Sequence, residues 1–307
     1  MTQHPRLGTS IERALEVLAD GGLVAIPTET VYGLAADASN ESAVRRIFAA
    51  KGRPAAHPLI VPLAKAEQLA AWASEVPPSA AVLADACWPG PLTVLVPRAP
   101  HVLDVVTGGR PTVGIRVPAH PLATELLTRF GGGLAAPSAN RFGRVSPTTA
   151  EHVAADLGDD VDYILDGGPC PVGVESTIVD CTTSPAQVLR PGGVPTEQVE
   201  ALLQGALAAA SGPSRAAGML ASHYAPRARV VLADTPIVAQ ELLAQHADAV
   251  LIDGTADLVT YARDLYALLR AADRAGTSTV IAVMPPAAGL GHAIRDRLSK
   301  AAAPTDG

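Results

Sequence analysis

The stretch from Leu23 to Leu59, LVAIPTETVYGLAADASNESAVRRIFAAKGRPAAHPL, constrains the fold of this chain more than any other. An apolar run, Leu23 to Ile26, stops at Pro27, and a polar cluster of Thr28, Glu29 and Thr30 follows before Tyr32 and Gly33. An amphipathic helix pattern comes next, and the segment closes on Lys51, Arg53 and His57. A short buried strand that delivers hydroxyls and a carboxylate into a loop, with cations returning nearby, has the form of a ligand site at a strand end of an α/β fold. A plain strand–loop–helix connection with ordinary capping accounts for the same residues, and Lys51 is also a favourable cation for a helix C-terminus.

The rest of the chain reads as α/β. Ser10 is a candidate N-cap for the helix IERALEVLAD, and Ser39 or Asn40 for ESAVRRIFAAK, which Gly52 ends. LIVPLA, PLTVLVP and TVGIRVP read as strands between prolines, the 66–88 region as helical, PLATELLTRF as a helix, and LAAPSAN as a compact strand. SPTTAEHVAADLG reads as a capped helix; YILDGG, ESTIVDCT and AQVLRPGG read as short strands, and EQVEALLQGALAAA as a helix. Prolines at so many strand ends suit a mixed sheet. From SGPSRAAGMLASHYAPRAR onward the texture changes to turn formers, then to RVVLA, DAVLIDG and STVIAVMPP alternating with two helix patterns, as in a small parallel α/β unit. The expected divisions are residues 1–205, a linker at 206–229, and a second domain at 230–307.

Composition limits the function classes. With 307 residues, 48% hydrophobic and 17% charged, the chain is long enough for two cores. A formal net charge of -7 and an aromatic content of 3% oppose a long nucleic-acid surface built on phosphate contacts or base stacking. Cys87, Cys170 and Cys181 are widely spaced and show neither a zinc nor a disulfide pattern. The polar start MTQHPRLGTS is unlike a signal peptide and no run has the length of a membrane span, so the cytoplasm is expected. Nucleotide-loop, metalloprotease and nucleophile-elbow spacings are absent, and AGLGHAI holds two glycines that suit a helix start. What remains is a scattered set of cations and small hydroxyls at loop positions, among them Arg116 inside a strand, Ser138 and Asn140 at a strand end, and Arg190 before Pro191-Gly192. Such a set suits an anion with several phosphate oxygens, because arginine forks match phosphate geometry.

Seven motifs then occur in one order: PTETVYGLAADA, KGRP followed by HPL, WPGPLTVLV, VGIRVPAHP, APSANRFGRVSPT, GVESTIVD and VLRPGG. Together they resemble the YrdC-like threonylcarbamoyl-AMP synthases, with the Lys-x-Arg…Ser-x-Asn signature as Lys51-Gly52-Arg53 and Ser138-Ala139-Asn140. SHYAPR and the closing GLGHAIRDRLSKAA extend the likeness to the two-domain (long) form, although AIRDRL stands where relatives often carry AIMNRL. The resemblance implies a YrdC-type α/β fold, a twisted mixed sheet around a concave cavity, plus a small C-terminal Rossmann-like domain. It implies condensation of L-threonine, bicarbonate or carbon dioxide, and ATP into threonylcarbamoyl-AMP, with release of pyrophosphate, as the first step of tRNA threonylcarbamoyladenosine formation. A separate tRNA threonylcarbamoyl transferase then uses the product, so direct tRNA binding is expected to be weak or absent.

By the same resemblance, Thr28, His57, Arg116 and Ser176 hold threonine. Lys51, Arg53, Thr112, Ser138, Asn140, Ser146 and Arg190 line the ATP side, with Tyr224 reaching in from the linker, which is expected to act as a lid. Lys51 and Arg53 stabilise charge growing on the phosphates, with magnesium bridging phosphate oxygens, no protein metal ligand and no dedicated general base. Two rivals come from other classes: an enzyme that makes carbamoyl-adenylate from carbamoyl phosphate, and a non-catalytic binder of double-stranded RNA.

Overall fold

The computed structural model of the chain describes residues 6–208 and 223–303. Two five-stranded mixed sheets form the larger part. The first runs Leu7–Gly8, Tyr163–Leu165, Val24–Ile26, Gly33–Asp37, Leu134–Ala135. The second runs Gln187–Arg190, Thr177–Asp180, Leu92–Pro97, Thr112–Arg116, Ile60–Pro62. Ala136 N–H donates to Ile60 O at 2.9 Å where the two sheets meet. A third sheet, Arg229–Ala233, Thr279–Val283 and Val250–Ile252, is wholly parallel, as the strand–helix alternation there requires.

Local sequence sets most boundaries. The hydroxyl of Ser10 accepts from Arg13 N–H at 3.1 Å to start the helix Ile11–Ala19, whose Ile11, Ala14, Val17 and Leu18 are buried. Asn40 caps Glu41–Lys51 in the same way, and Gly52 ends that helix at φ 61°, a left-handed conformation open to glycine without strain. Val44, Ile47 and Phe48 on its inner face join a core shared by both sheets.

Two expectations fail. Gly33–Asp37 is a strand paired antiparallel to Val24–Ile26, so the polar cluster sits in a hairpin loop rather than on a strand-to-helix connection. Small buried residues, Leu34-Ala35-Ala36, carry no period that separates strand from helix. The helix expected through Ala210 ends at Leu203, because Gln204 turns left-handed at φ 52°; residues 209–222, the middle of the expected linker, lie outside the described residues. Among the described residues no helix is long and apolar enough to cross a membrane.

Candidate active site

A cavity opens between the two five-stranded sheets, with about 720 Å³ of atom-free space, part of it open to solvent. Seven of the residues picked out above line it: Thr28, Arg53, Arg116, Ser138, Ser176, Arg190 and Tyr224. Glu175 and His223, which the sequence did not single out as ligands, line it too.

The hairpin loop is self-bracing. Thr28 Oγ1 donates to Val31 O at 2.6 Å and accepts from the N–H groups of Thr30 and Val31. This turn holds Glu29 and Thr30 against Arg116, which ends its strand 8% exposed. The guanidinium donates to Gly90 O and to Thr30 Oγ1, and its remaining nitrogen lies 2.7 Å from Glu29 Oε1. Arg116, which the resemblance places among the threonine-holding residues, already faces an internal carboxylate, and both groups are almost wholly buried.

Lys51 is 2% exposed and donates to Ser138 O and, at 2.6 Å, to Asn140 O. The cation at the helix end therefore grips the Ser-Ala-Asn segment. Burial lowers its pKa far below the ordinary lysine value, and the neighbouring charge of Arg53 acts in the same direction. Arg53 donates to Pro58 O at 3.0 Å, lies over the Phe142 ring at 5.8 Å, and keeps a buried Nε without a hydrogen-bond partner. Its pKa is pulled down to about 10, chiefly by burial. Arg190 reaches back to Ser176, donating to its carbonyl and at 3.1 Å to its hydroxyl, which also bonds Thr93.

The opposite wall is organised by Glu175. Ser146 Oγ donates to one of its oxygens at 2.6 Å; Tyr266 OH and Arg297 Nε donate to the other at 2.8 and 2.7 Å. Burial by itself raises this carboxyl's pKa, but Arg297 and Arg190 with the hydrogen bonds outweigh it and hold it at about 2. His223 and Tyr224 complete the wall. Tyr224 sits under the Arg297 guanidinium at 5.0 Å and is stacked on Tyr266 at 5.8 Å. Its hydroxyl and His223 Nδ1 are buried without partners. Burial holds His223 neutral, with a pKa lowered to about 3.

Five residues picked from the sequence are not in the lining. His57 is half-buried beside Phe142, ring centroids 5.4 Å apart, and Phe142 in turn meets His223 at 6.1 Å. Lys51 and Asn140 lie just behind Ser138; the Asn140 amide spends its N–H groups on Arg141 O and Arg144 O and leaves Oδ1 without a partner. Ser146 stands behind Glu175. Thr112 opens the strand that Arg116 closes, so four residues at roughly 3.3 Å each separate it from the cavity end.

The chain resembles known proteins along nearly its whole length. The Sua5/YciO/YrdC family model, described as "Telomere recombination", matches residues 16–192, and the model for the "Threonylcarbamoyl-AMP synthase, C-terminal domain" matches residues 194–303. The threonylcarbamoyl-AMP synthase of Pyrococcus abyssi is 42% identical over 317 residues, covering 95% of this chain and 93% of the relative. That of Bacillus subtilis is 41% identical over 321 residues, covering 95% and 92%. The crystal structure of P. abyssi Sua5 complexed with L-threonine superposes with a TM-score of 0.90 at 40% identity, covering 95% of this chain and 94% of that one. Escherichia coli YciO, at 23% identity and a TM-score of 0.52 over 61% of this chain, shares the fold of the larger part. With matching models for both parts and relatives of this coverage, the chain belongs to the threonylcarbamoyl-AMP synthase family, in its two-domain form.

Proposed function

We propose that this protein condenses L-threonine, bicarbonate or carbon dioxide, and ATP into threonylcarbamoyl-AMP and pyrophosphate. The observation that carries the reading is one cavity where Thr28, Arg116 and Ser176 meet Arg53, Ser138 and Arg190, in a chain whose relative has been solved with L-threonine. The threonine amine attacks the carbon of carbon dioxide, or of bicarbonate with loss of water, and gives up a proton. A carbamate oxygen then attacks the α-phosphorus of ATP, and the bond to the pyrophosphate oxygen breaks. The second step joins anions that repel each other, as the first does when bicarbonate is the carbon source, so most of the acceleration comes from alignment and from cations placed where charge grows.

The residues divide accordingly. Thr28, His57, Arg116 and Ser176 are proposed on the threonine side. Lys51, Arg53, Ser138, Asn140, Ser146, Arg190 and Tyr224 are proposed on the nucleotide side, with Thr112 at the far end of its strand. Arg53 carries the clearest feature for a phosphate: a buried guanidinium with an unpartnered donor. Magnesium enters this reading as part of the ATP substrate, held by phosphate oxygens, because the nearby carboxylates of Glu29 and Glu175 are already set against Arg116 and Arg297. The product passes to a separate tRNA-modifying transferase, with weak or no direct tRNA binding by this chain, in the cytoplasm. The net charge of -7 and the unpaired Cys87, Cys170 and Cys181 support those assignments.

Pyrophosphate release in the presence of ATP, threonine and bicarbonate tests the proposal. Release must depend on both threonine and bicarbonate. Release that depends on carbamoyl phosphate instead, or double-stranded RNA binding with no turnover, would overturn it.

A further inference from the structure

The long helix Leu258–Arg274 and the last helix, Gly291–Ala302, belong to the third sheet's unit, yet their polar side chains act inside the larger one. From the long helix, Tyr266 holds Glu175, and Arg270 donates to the carbonyls of Val145 and Ser146 while gripping both oxygens of Asp156 at 2.9 and 2.6 Å. From the last helix, Arg297, with no exposed surface, binds Glu175, donates to Pro191 O at 3.0 Å, and covers Tyr224. The result is a chain of contacts. Ser146 is held by its backbone through Arg270 and by its hydroxyl through Glu175, and Glu175 is held by Tyr266 and Arg297. Glu175 lines the cavity and directly precedes Ser176, on which Arg190 rests.

We infer that Tyr266, Arg270 and Arg297 are positioning residues for the ligand cavity, so that the C-terminal unit braces, through Ser146 and Glu175, the wall formed by Glu175, Ser176 and Arg190. None of the three is in the cavity lining; they act through Glu175 and the Val145–Ser146 backbone. A buried carboxylate held by one tyrosine hydroxyl, one serine hydroxyl and one guanidinium has little freedom, since loosening any of them leaves a desolvated charge short of partners. The inference rests on the reaction proposed above only for which ligand the wall faces.

Tyr266→Phe removes one hydrogen bond and keeps the ring stacked on Tyr224. Arg297→Lys keeps the charge but loses the second branch of the guanidinium. Each raises KM for ATP or threonine by roughly 10-fold, the worth of one charge-assisted hydrogen bond, with a smaller change in kcat. Glu175→Gln combined with Arg297→Gln, which removes both buried charges, recovers part of what Arg297→Gln alone loses. Binding of a non-hydrolysable ATP analogue, measured by calorimetry on the full chain, follows the same order and needs no turnover. An absence of threonine-dependent turnover in the unsubstituted protein thus tells against the reaction, and the analogue still decides the wall. Unchanged KM values and analogue affinity in Tyr266→Phe and Arg297→Lys would overturn the inference. So would losses confined to kcat in proportion to the folded fraction, since that is the mark of a merely structural contact.

Discussion

Replacing Arg53 by methionine separates a phosphate ligand from a structural cation. Among the described residues Arg53 donates to one carbonyl, Pro58 O, and lies over Phe142, while its Nε is buried without a partner. Arg53→Met forfeits about 1.5–3 kcal/mol for the hydrogen bond from a charged donor and about 0.5–2 kcal/mol for the cation over the ring. It also removes an unsatisfied buried donor, which relieves about 1–3 kcal/mol, and the methionine chain keeps much of the contact with Phe142. The cancellation is partial, and the expected stability loss is about 1.5 kcal/mol, the difference between the midpoints of these ranges. A phosphate oxygen, by contrast, would satisfy the guanidinium where the protein does not. Loss of one such bond lowers ATP-dependent turnover by roughly 10- to 150-fold. Pyrophosphate release against ATP concentration measures the second effect, and urea unfolding of the same preparation measures the first. If turnover and KM for ATP stay within about threefold of the unsubstituted enzyme, a range worth well under one hydrogen bond, Arg53 is not a phosphate ligand. A stability loss large enough to depopulate the folded state would equally refute the cancellation.

Other expectations follow from buried charge and close approach. His223 is neutral in the folded protein, with a pKa of about 3 against an ordinary 6.5, so the native state binds fewer protons than the unfolded one between those values. Stability therefore falls as pH drops from 6.5 toward 3, and His223→Phe flattens the melting temperature measured between pH 7 and pH 5; an unchanged slope refutes the assignment. The Glu175 carboxyl, held at about 2 against 4.5, contributes stability above pH 4.5 that is lost as pH falls toward 2. Glu175→Gln takes the buried carboxylate from Arg297 Nε, leaves that guanidinium only the partly exposed Asp296, and costs about 3 kcal/mol near neutrality, read by urea unfolding. Gly173 has φ +79° and an added Cβ would stand 2.3 Å from Arg263 O, so Gly173→Ala pries the helix Leu258–Arg274 from the larger unit. The cost is about 1–3 kcal/mol, and faster proteolysis between the two units detects it.

The caps at Ser10 and Asn40, the left-handed Gly52 and the amphipathic stripe of Val44, Ile47 and Phe48 were legible because each depends on neighbours within one or two turns. The cavity cations were legible in part for the same reason. A lysine ending a helix and an arginine two residues later can be placed without tertiary knowledge, but the grip of Lys51 on Ser138 and Asn140 spans 87 and 89 residues. From sequence Glu29 is a loop carboxylate and not the partner of Arg116, since nothing local brings the hairpin to that strand end. Glu175 and Arg297 were missed as a pair for want of any sequence proximity, although one signal existed. Arg297 follows Ile294 by three residues and Ala293 by four, on the helix face that also buries Leu298 and Ala301. A charge on an apolar stripe needs a buried counter-charge, and the carboxylate of ESTIVD precedes a strand whose four residues are all buried.

The cavity's charges are arranged by how they are satisfied. Arg116 stands against Glu29, giving one charge of each sign within 2.7 Å, which suits a zwitterion whose ammonium and carboxylate lie side by side. On the other side, the hydrogen bonds of Lys51 and Arg53 go to backbone carbonyls, which orient a cation without neutralising it. The carboxylate whose charge reaches Lys51, Asp156, has Arg270 against it, and Glu175 has Arg297, so both draw little from the local positive potential. A buried cation held only by carbonyls is costly, as the lowered pKa of Lys51 records, and it regains most when an anion arrives. An amino acid and a nucleotide presented to this cavity would therefore be sorted by charge: the zwitterion to the paired end, and the phosphates to the end where carbonyls hold the cations.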